Sequence, residues 1–382
     1  MAKLKRDATF WVVASQATLV NFFLGGFGPA QPLLREEQRT SLTVAGLHGT
    51  MMGIGSIIAG AVQAQLVHKY GRKFAAWIGL TLFTVGVPVF SFGNSVAITL
   101  TATLLLSTGI SIVINNMVTQ LSHHFSNTPD LAVSQSSAIN SVGYVIGTLV
   151  VGSLATYNIS WRIGLLIVVP LGIALYIFGN KLVIEERDHD APKQSGKLSR
   201  LYWIGWLGFF ASVASEFSTT FWAAALIMNR TGATAAISTL CITAVGSGMG
   251  IGRWYVPVVL KNLILDNRIK TILVTQFFAF WLLWFSKNLA LSLVALFIVG
   301  IGISTQFSMT TVRLIRFSDN RPDLSMGTAS YGAGLAIAFA PFFLAFLGDH
   351  IGISRAYLMV PVLISISFGA LVFANSEAPQ QR

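Results

Sequence analysis

The chain has 382 residues, 54% of them hydrophobic and only 10% charged, with a formal net charge of +11 and a mean hydropathy of +0.69. Soluble domains carry about 25% charged residues, so this composition disfavours a water-facing globular fold and points to the bilayer as solvent. The positive charge could suit nucleic acid, but the Lys and Arg residues sit in short clusters between apolar runs, so no nucleic-acid partner is expected.

In chain order, the first apolar run covers 9–34. It is too long for a signal-peptide core and lacks a small-residue cleavage pattern, so it reads as a first span rather than a leader. A helix needs about 20 apolar residues to cross hydrocarbon. By that ruler further spans fall at 42–66, 74–93, 96–120, 132–156 and 162–179. A second set falls at 201–227, 234–256, 270–286, 289–313, 325–347 and 355–374. Between the sets lies a polar stretch, 181–200, rich in charge with Pro192, Ser195 and Gly196, the composition of a solvated linker. The expected architecture is therefore all-α: twelve transmembrane helices in two pseudo-symmetric six-helix bundles, 1–180 and 201–382, joined by the linker 181–200.

Charge tests that count. Of the 25 Lys and Arg residues, Arg35, Arg39, Arg162, Arg230, Lys287 and Arg355 fall on one side of such a membrane, and the other 19 fall on the side of the termini. Basic residues mark the cytoplasmic side. Both termini are thus expected in the cytoplasm, and the chain in a bacterial inner membrane. One missed span would scramble this split.

The loop after the second span reads Ala64-Gln65-Leu66-Val67-His68-Lys69-Tyr70-Gly71-Arg72-Lys73. It resembles the major facilitator signature Gly-x-x-x-Asp-Arg-x-Gly-Arg-Arg/Lys, with Ala64 in place of the first glycine and His68 in place of the aspartate. Leu265-Asp266-Asn267-Arg268-Ile269-Lys270 is a degenerate echo in the second half, and the turns around Arg162 and Arg355 lie 193 residues apart (162 to 355). The resemblance implies the major facilitator fold, rocking of one bundle against the other around a central site, and a gating role for His68, Lys69, Gly71, Arg72, Lys73, Asp266 and Arg268. His68 cannot supply the aspartate's fixed charge. It is either a titrating latch or a plain interfacial histidine.

Thirteen of fourteen acids fall in loops, termini or span edges; Glu216 stands near the middle of the seventh span. An ionisable group at that depth is costly and points to function. Glu216 is the candidate proton-coupling residue, against the alternative of a protonated acid bonded to a neighbouring helix. Polar groups in the spans should face the bundle interior. This makes Gln16, Asn21, Asn115, Asn116, Asn140, Tyr144, Trp222 and Gln306 candidate substrate-binding residues. Asn115 and Asn116 must face differently, being about 100° apart. Arg253, Arg313 and Arg316 lie near span ends, where long side chains snorkel to water and mark topology, with gating or an anion site as the alternative. Without a deep cation the substrate is expected to be neutral or cationic, unless one of these arginines reaches inward.

The seventh span lacks acidic partners in the first and fourth, which leaves sugar symport as one option. The fifth span lacks the Gly-Pro motif of drug–proton antiporters, and Leu105 stands where their fourth span has arginine. No nucleotide-binding loop or metal-ligand spacing occurs. His123-His124 at a span end reads as an interfacial pair before a metal site, and the lone Cys241 lies in an apolar run. The expectation is a monomeric, non-enzymatic secondary transporter of a small organic solute, with protons as coupling ion and no cofactor or metal. The alternatives are an uncoupled facilitator or exchanger, or a non-transporting membrane sensor or assembly protein.

Overall fold

The computed structural model describes residues 6–28, 30–125, 129–181, 196–319 and 321–374. Twelve helices are long and apolar enough to cross a membrane. The first six are α1 (Ala8–Phe27), α2 (Leu42–Gln63), α3 (Lys69–Phe92), α4 (Val96–Leu121), α5 (Gln135–Thr156) and α6 (Trp161–Gly179). The second six are α7 (Arg200–Thr231), α8 (Ala235–Val259), α9 (Leu265–Phe285), α10 (Leu289–Arg316), α11 (Gly327–Ile351) and α12 (Ile353–Phe373). The described residues contain no strand. The linker expected at 181–200 falls largely on 182–195, outside the described residues.

Span boundaries follow local chemistry. α1 stops at Phe27, short of the expected 34. Pro32 lacks an N–H and fits the first turn of a separate short helix, Gln31–Gln38, where that donor is not needed. Ser41, Ser95, Ser199 and Thr234 each accept an N–H in the first turn of the helix they precede, as does Asn288. Two of these caps repeat at the spacing of the arginine turns: 41 to 234 and 95 to 288 are both 193 residues. Each half thus starts its second and fourth helices with the same device. At the start of α3 the chain kinks at Gly71, whose φ of +84° suits a residue without Cβ.

Within each half, helices meet through small residues. A Cβ on Gly25 or Gly147 would overlap the backbone of the facing helix at 2.0 and 1.9 Å, which locks α1 against α5. Gly248 and Gly300 do the same for α8 and α10. Two long seams join the halves. Along α2 and α11, Gly46, Gly49 and Gly53 face Ala345, Pro341 and Ala338, and Gly334 faces Ile57. Along α5 and α8, Gly152 meets Leu240, Gly246 meets Tyr144 and Gly250 meets Ser141. Such close approach substitutes for hydrophobic driving force in lipid.

Candidate functional site

Glu216 lies near the middle of the 32-residue α7. The preceding Ala211 to Ser215 are all buried, whereas Glu216 is half-buried. Arg253 of α8 acts on it electrostatically. Arg253 and Tyr144 of α5 both lie along the α5–α8 seam, which joins the halves. Gly246 makes room for the Tyr144 ring, since a Cβ there would sit 2.5 Å from Cδ1.

Arg253 departs from the expectation of a snorkelling end residue. It stands six residues before the end of α8, roughly 9 Å along the axis. Side chains lean toward the N-terminus of their helix. On α8 that direction leads away from the nearby helix end and into the membrane interior. The guanidinium donates from Nη1 to Ser141 Oγ at 2.8 Å and Ser137 O at 3.5 Å, and from Nε to Ser304 O at 3.3 Å. It therefore bridges α5 of the first half to α8 and α10 of the second. Glu216 leans in the opposite sense, so the two charges approach in depth. Arg313 also departs from snorkelling. It is 3% exposed and donates from Nε to Asp266 Oδ1 at 3.0 Å, and from Nη2 to Ala374 O.

The remaining candidates fall into separate places. Asn140 receives the Thr18 hydroxyl at 3.1 Å and donates to Met117 Sδ. Asn21 donates to Ala17 O within α1. Asn115 donates to Gln63 of α2 at 2.8 Å, while Asn116 is buried and donates to Ile112 O, so the two do face differently. Gln16 lines a small void with Thr9, Lys73, Trp77 and Gln120. Trp222 is fully buried and donates its indole N–H to Pro341 O at 2.8 Å, tying α7 to α11. Gln306 donates to Gln276 Oε1 at 2.6 Å, and Gln276 donates to Ser215 Oγ at 3.3 Å. This buried chain crosses the second half directly behind Glu216. Gln276 and Ser215 were not singled out from sequence, although Gln276 is an isolated amide in the apolar stretch of α9.

Of the expected gating residues, Lys73 donates to Asn180 O at 2.5 Å, tying α3 to the end of α6. Lys69 lies over the Tyr70 ring at 5.0 Å, and Arg268 donates to Leu263 O and Lys261 O. Arg72 is half-buried. The side chains of His68 and His123 lie outside the described residues. Asp266 and Arg313 form a buried ion pair, whereas the positions 193 residues earlier, Lys73 and Gln120, only share the void beside Gln16. Among the described residues no three His, Cys, Asp or Glu side chains converge as a metal site.

The ends of the seams differ. On the side away from the termini, Asp349 of α11 accepts from the N–H groups of Leu42 and Thr43 at 3.0 and 2.7 Å, and from the Thr43 hydroxyl at 2.5 Å. The carboxylate of one half thus caps the first turn of α2 in the other, where the helix dipole favours negative charge. Phe27 and Phe221 meet edge-on nearby in sequence to that end, 6.0 Å between centroids. Toward the termini, Gly60 and Gly327 have nothing within 4 Å of a Cβ position.

The sequence profile of the Major Facilitator Superfamily matches residues 13–322. The chain belongs to the Major Facilitator Superfamily. Solved structures with the same fold include a bacterial homologue of the human lysosomal transporter Spinster in an inward-facing, occupied conformation, with TM-score 0.80 at 12% identity, covering 98% of this chain and 97% of that one. The nucleoside transporter NupG aligns with TM-score 0.79 at 11% identity over 95% and 99% of the two chains. The Escherichia coli fucose:proton symporter FucP aligns with TM-score 0.66 at 15% identity over 96% and 98%. Among curated relatives, drug efflux pump JefA of Mycobacterium tuberculosis is 29% identical over 181 residues, 47% of this chain and 33% of the relative. The chain thus spans about a third of the length of the curated relatives it matches. These likenesses place the chain in a family of membrane transporters.

Proposed function

We propose that this chain is a secondary active transporter that moves a small organic solute by alternating access, with Glu216 as the site of proton coupling. The observation that carries the reading is an acid near the middle of α7, Glu216, within electrostatic reach of Arg253, whose guanidinium is hydrogen-bonded across the halves. Arg253 takes hydrogen bonds from one half to the other, so the charge state of Glu216 can bias how the halves sit. A coupling residue needs that link: protonation must change the relative stability of two arrangements. The Asp349 cap on α2 and the open α2–α11 seam around Gly60 support an arrangement closed on one side. With the positive-inside bias, that closed side is the outer one, both termini are cytoplasmic, and 1–180 and 201–382 move as the two bodies joined by 181–200.

The test is accumulation in proteoliposomes under an imposed pH gradient, using pools of sugars, amino acids, organic acids, polyamines and lipophilic cations. Wild type accumulates its solute; Glu216→Gln retains solute exchange and loses accumulation. Equal accumulation by both proteins contradicts the assignment of Glu216. The drug efflux carried out by the JefA relatives favours one variant of this reading, export rather than import, which inside-out vesicles decide by the direction of gradient-driven movement.

A further inference from the structure

We propose that the solute is an organic monoanion, a carboxylate or its equivalent, that docks on Arg253 and crosses together with the proton carried by Glu216. This inference rests on the proton-coupling reading above and adds the chemical class of the solute to it.

The two buried arginines of the second half make an internal comparison. Arg313 is charge-paired with Asp266 at 3.0 Å and bonded to Ala374 O. Its charge is paired, as that of an arginine with an architectural duty should be, because an uncompensated buried charge is strongly destabilising. Arg253 is held differently. Every hydrogen bond it makes to the protein ends on a neutral oxygen: Ser304 O, Ser137 O and Ser141 Oγ. Among the described residues no carboxylate comes within 4.0 Å of it. Its Nη2 makes no hydrogen bond to the protein and is not sealed from solvent. The three neutral tethers engage Nε and Nη1 and leave Nη2 to donate a charge-assisted hydrogen bond to an anion oxygen.

Charge balance then links the anion to the proton. Glu216 from α7 and Tyr144 from α5 are the titratable groups that act on Arg253, and Arg253 is the one that acts on Glu216. With Glu216 ionised, the interior holds one negative and one positive charge at a separation longer than an ion pair. With Glu216 protonated, Arg253 is the sole charge left at that site, and a monoanion restores neutrality. Proton and monoanion therefore favour each other's binding, and the coupling is reciprocal. The loaded site carries the Arg253 charge, the anion charge and a neutral acid, so one proton and one anion move with no net transfer of charge. A neutral or cationic solute is expected only where no arginine reaches inward, and Arg253 reaches the seam between the halves.

The experiment is thermal stabilisation of the purified full-length chain in detergent by acetate, lactate, benzoate and salicylate, each beside its own amide, at about pH 5.5 and about pH 8. At least one carboxylate should raise the unfolding midpoint while its amide does not, with a larger shift at the lower pH. Arg253→Gln should abolish the response, and Arg253→Lys, which keeps the charge but loses the fork, should retain a weaker one. Gel filtration of each variant separates lost binding from lost folding. Amides acting as well as carboxylates, an undiminished response in Arg253→Gln, or no response to any carboxylate overturns the proposal. Glu216→Gln should still respond to carboxylate, but equally at both pH values. A wild-type pH dependence in Glu216→Gln contradicts the proton-coupling reading while leaving the Arg253 anion site standing.

Discussion

At the scale of single residues, Asp7 does two jobs just outside the membrane. Its carboxylate accepts the Phe10 N–H at 2.9 Å, capping α1, and lies 2.5 Å from His124 Nε2 at the end of the helix that carries α4. Burial pushes the Asp7 carboxyl up, but the bonds from His124 and Phe10 outweigh it and hold the group below its ordinary 3.8. A carboxyl depressed by folding adds stability that is present above its unfolded pKa and is lost as pH falls through the folded value. The thermal midpoint of wild type in detergent should therefore drop more steeply below about pH 4 than that of Asp7→Asn; parallel curves would contradict this. Trp222→Phe makes a sharper test of the interior. It removes the indole bond to Pro341 O that ties α7 to α11, at a cost of about 0.5–1.5 kcal/mol, and should lower the midpoint without altering the pH dependence of transport. Depth alone made Glu216 legible in the sequence, because one acid in the middle of an apolar span has no cheap structural excuse. Distance from the helix end does not place Arg253, because helix direction decides which way its long side chain leans. A long side chain on a helix running toward the termini leans inward, and that rule needs only the topology. The Arg313–Asp266 pair was not legible, since 47 residues of sequence separate partners that only packing of α9 on α10 brings together.

At the scale of elements, the α2–α11 seam holds a built-in contrast. A Cβ at Gly53 would lie 2.3 Å from Ala338 N, whereas at Gly60, two turns along the same helix, it would meet nothing within 4 Å. Gly53→Val should wedge the halves apart and abolish solute exchange, while Gly60→Val should leave it near wild type. Equal effects of the two would show that the seam is not the determinant. The Asp349 cap at the other end of the seam predicts a bias in conformation. On a Cys241→Ser background, a cysteine replacing the buried Ala45 should react with a membrane-impermeant maleimide several-fold faster when Asp349→Asn is added. An unchanged rate would mean the cap does not hold that side shut. Span existence was readable from hydropathy because the bilayer imposes a fixed length. Span ends were less so. α1 yields to a separate helix at Pro32, and α7 runs on to Thr231 before closing at Gly232, whose φ is +71°. Such ends depend on caps and turns rather than on apolarity.

At the scale of the whole molecule, the 193-residue repeat of N-caps and arginine turns describes two copies of one folding unit whose chemistry has diverged. The second copy holds Glu216, Arg253 and the Asp266–Arg313 pair; the first contributes Tyr144 and Ser141 to the shared seam. Twelve spans, six on each side of the central linker, were legible because composition, spacing and charge bias all count the same objects. How the halves close was not, because Asp349 on Thr43 and Arg253 on Ser141 join positions 306 and 112 residues apart. Orientation has its own test: reporter-enzyme fusions after Asn158 should be active only outside the cytoplasm, and fusions after Ser199 only within it. The reverse pattern would invert the sidedness of the cycle. The central claim is that solute and proton move together through Glu216. It is tested most directly by adding the solute to proteoliposomes loaded with a pH-reporting dye, with no gradient imposed. The account predicts that the lumen acidifies with wild type and not with Glu216→Gln, although both exchange solute; solute entry without acidification, or equal acidification by both proteins, would contradict it.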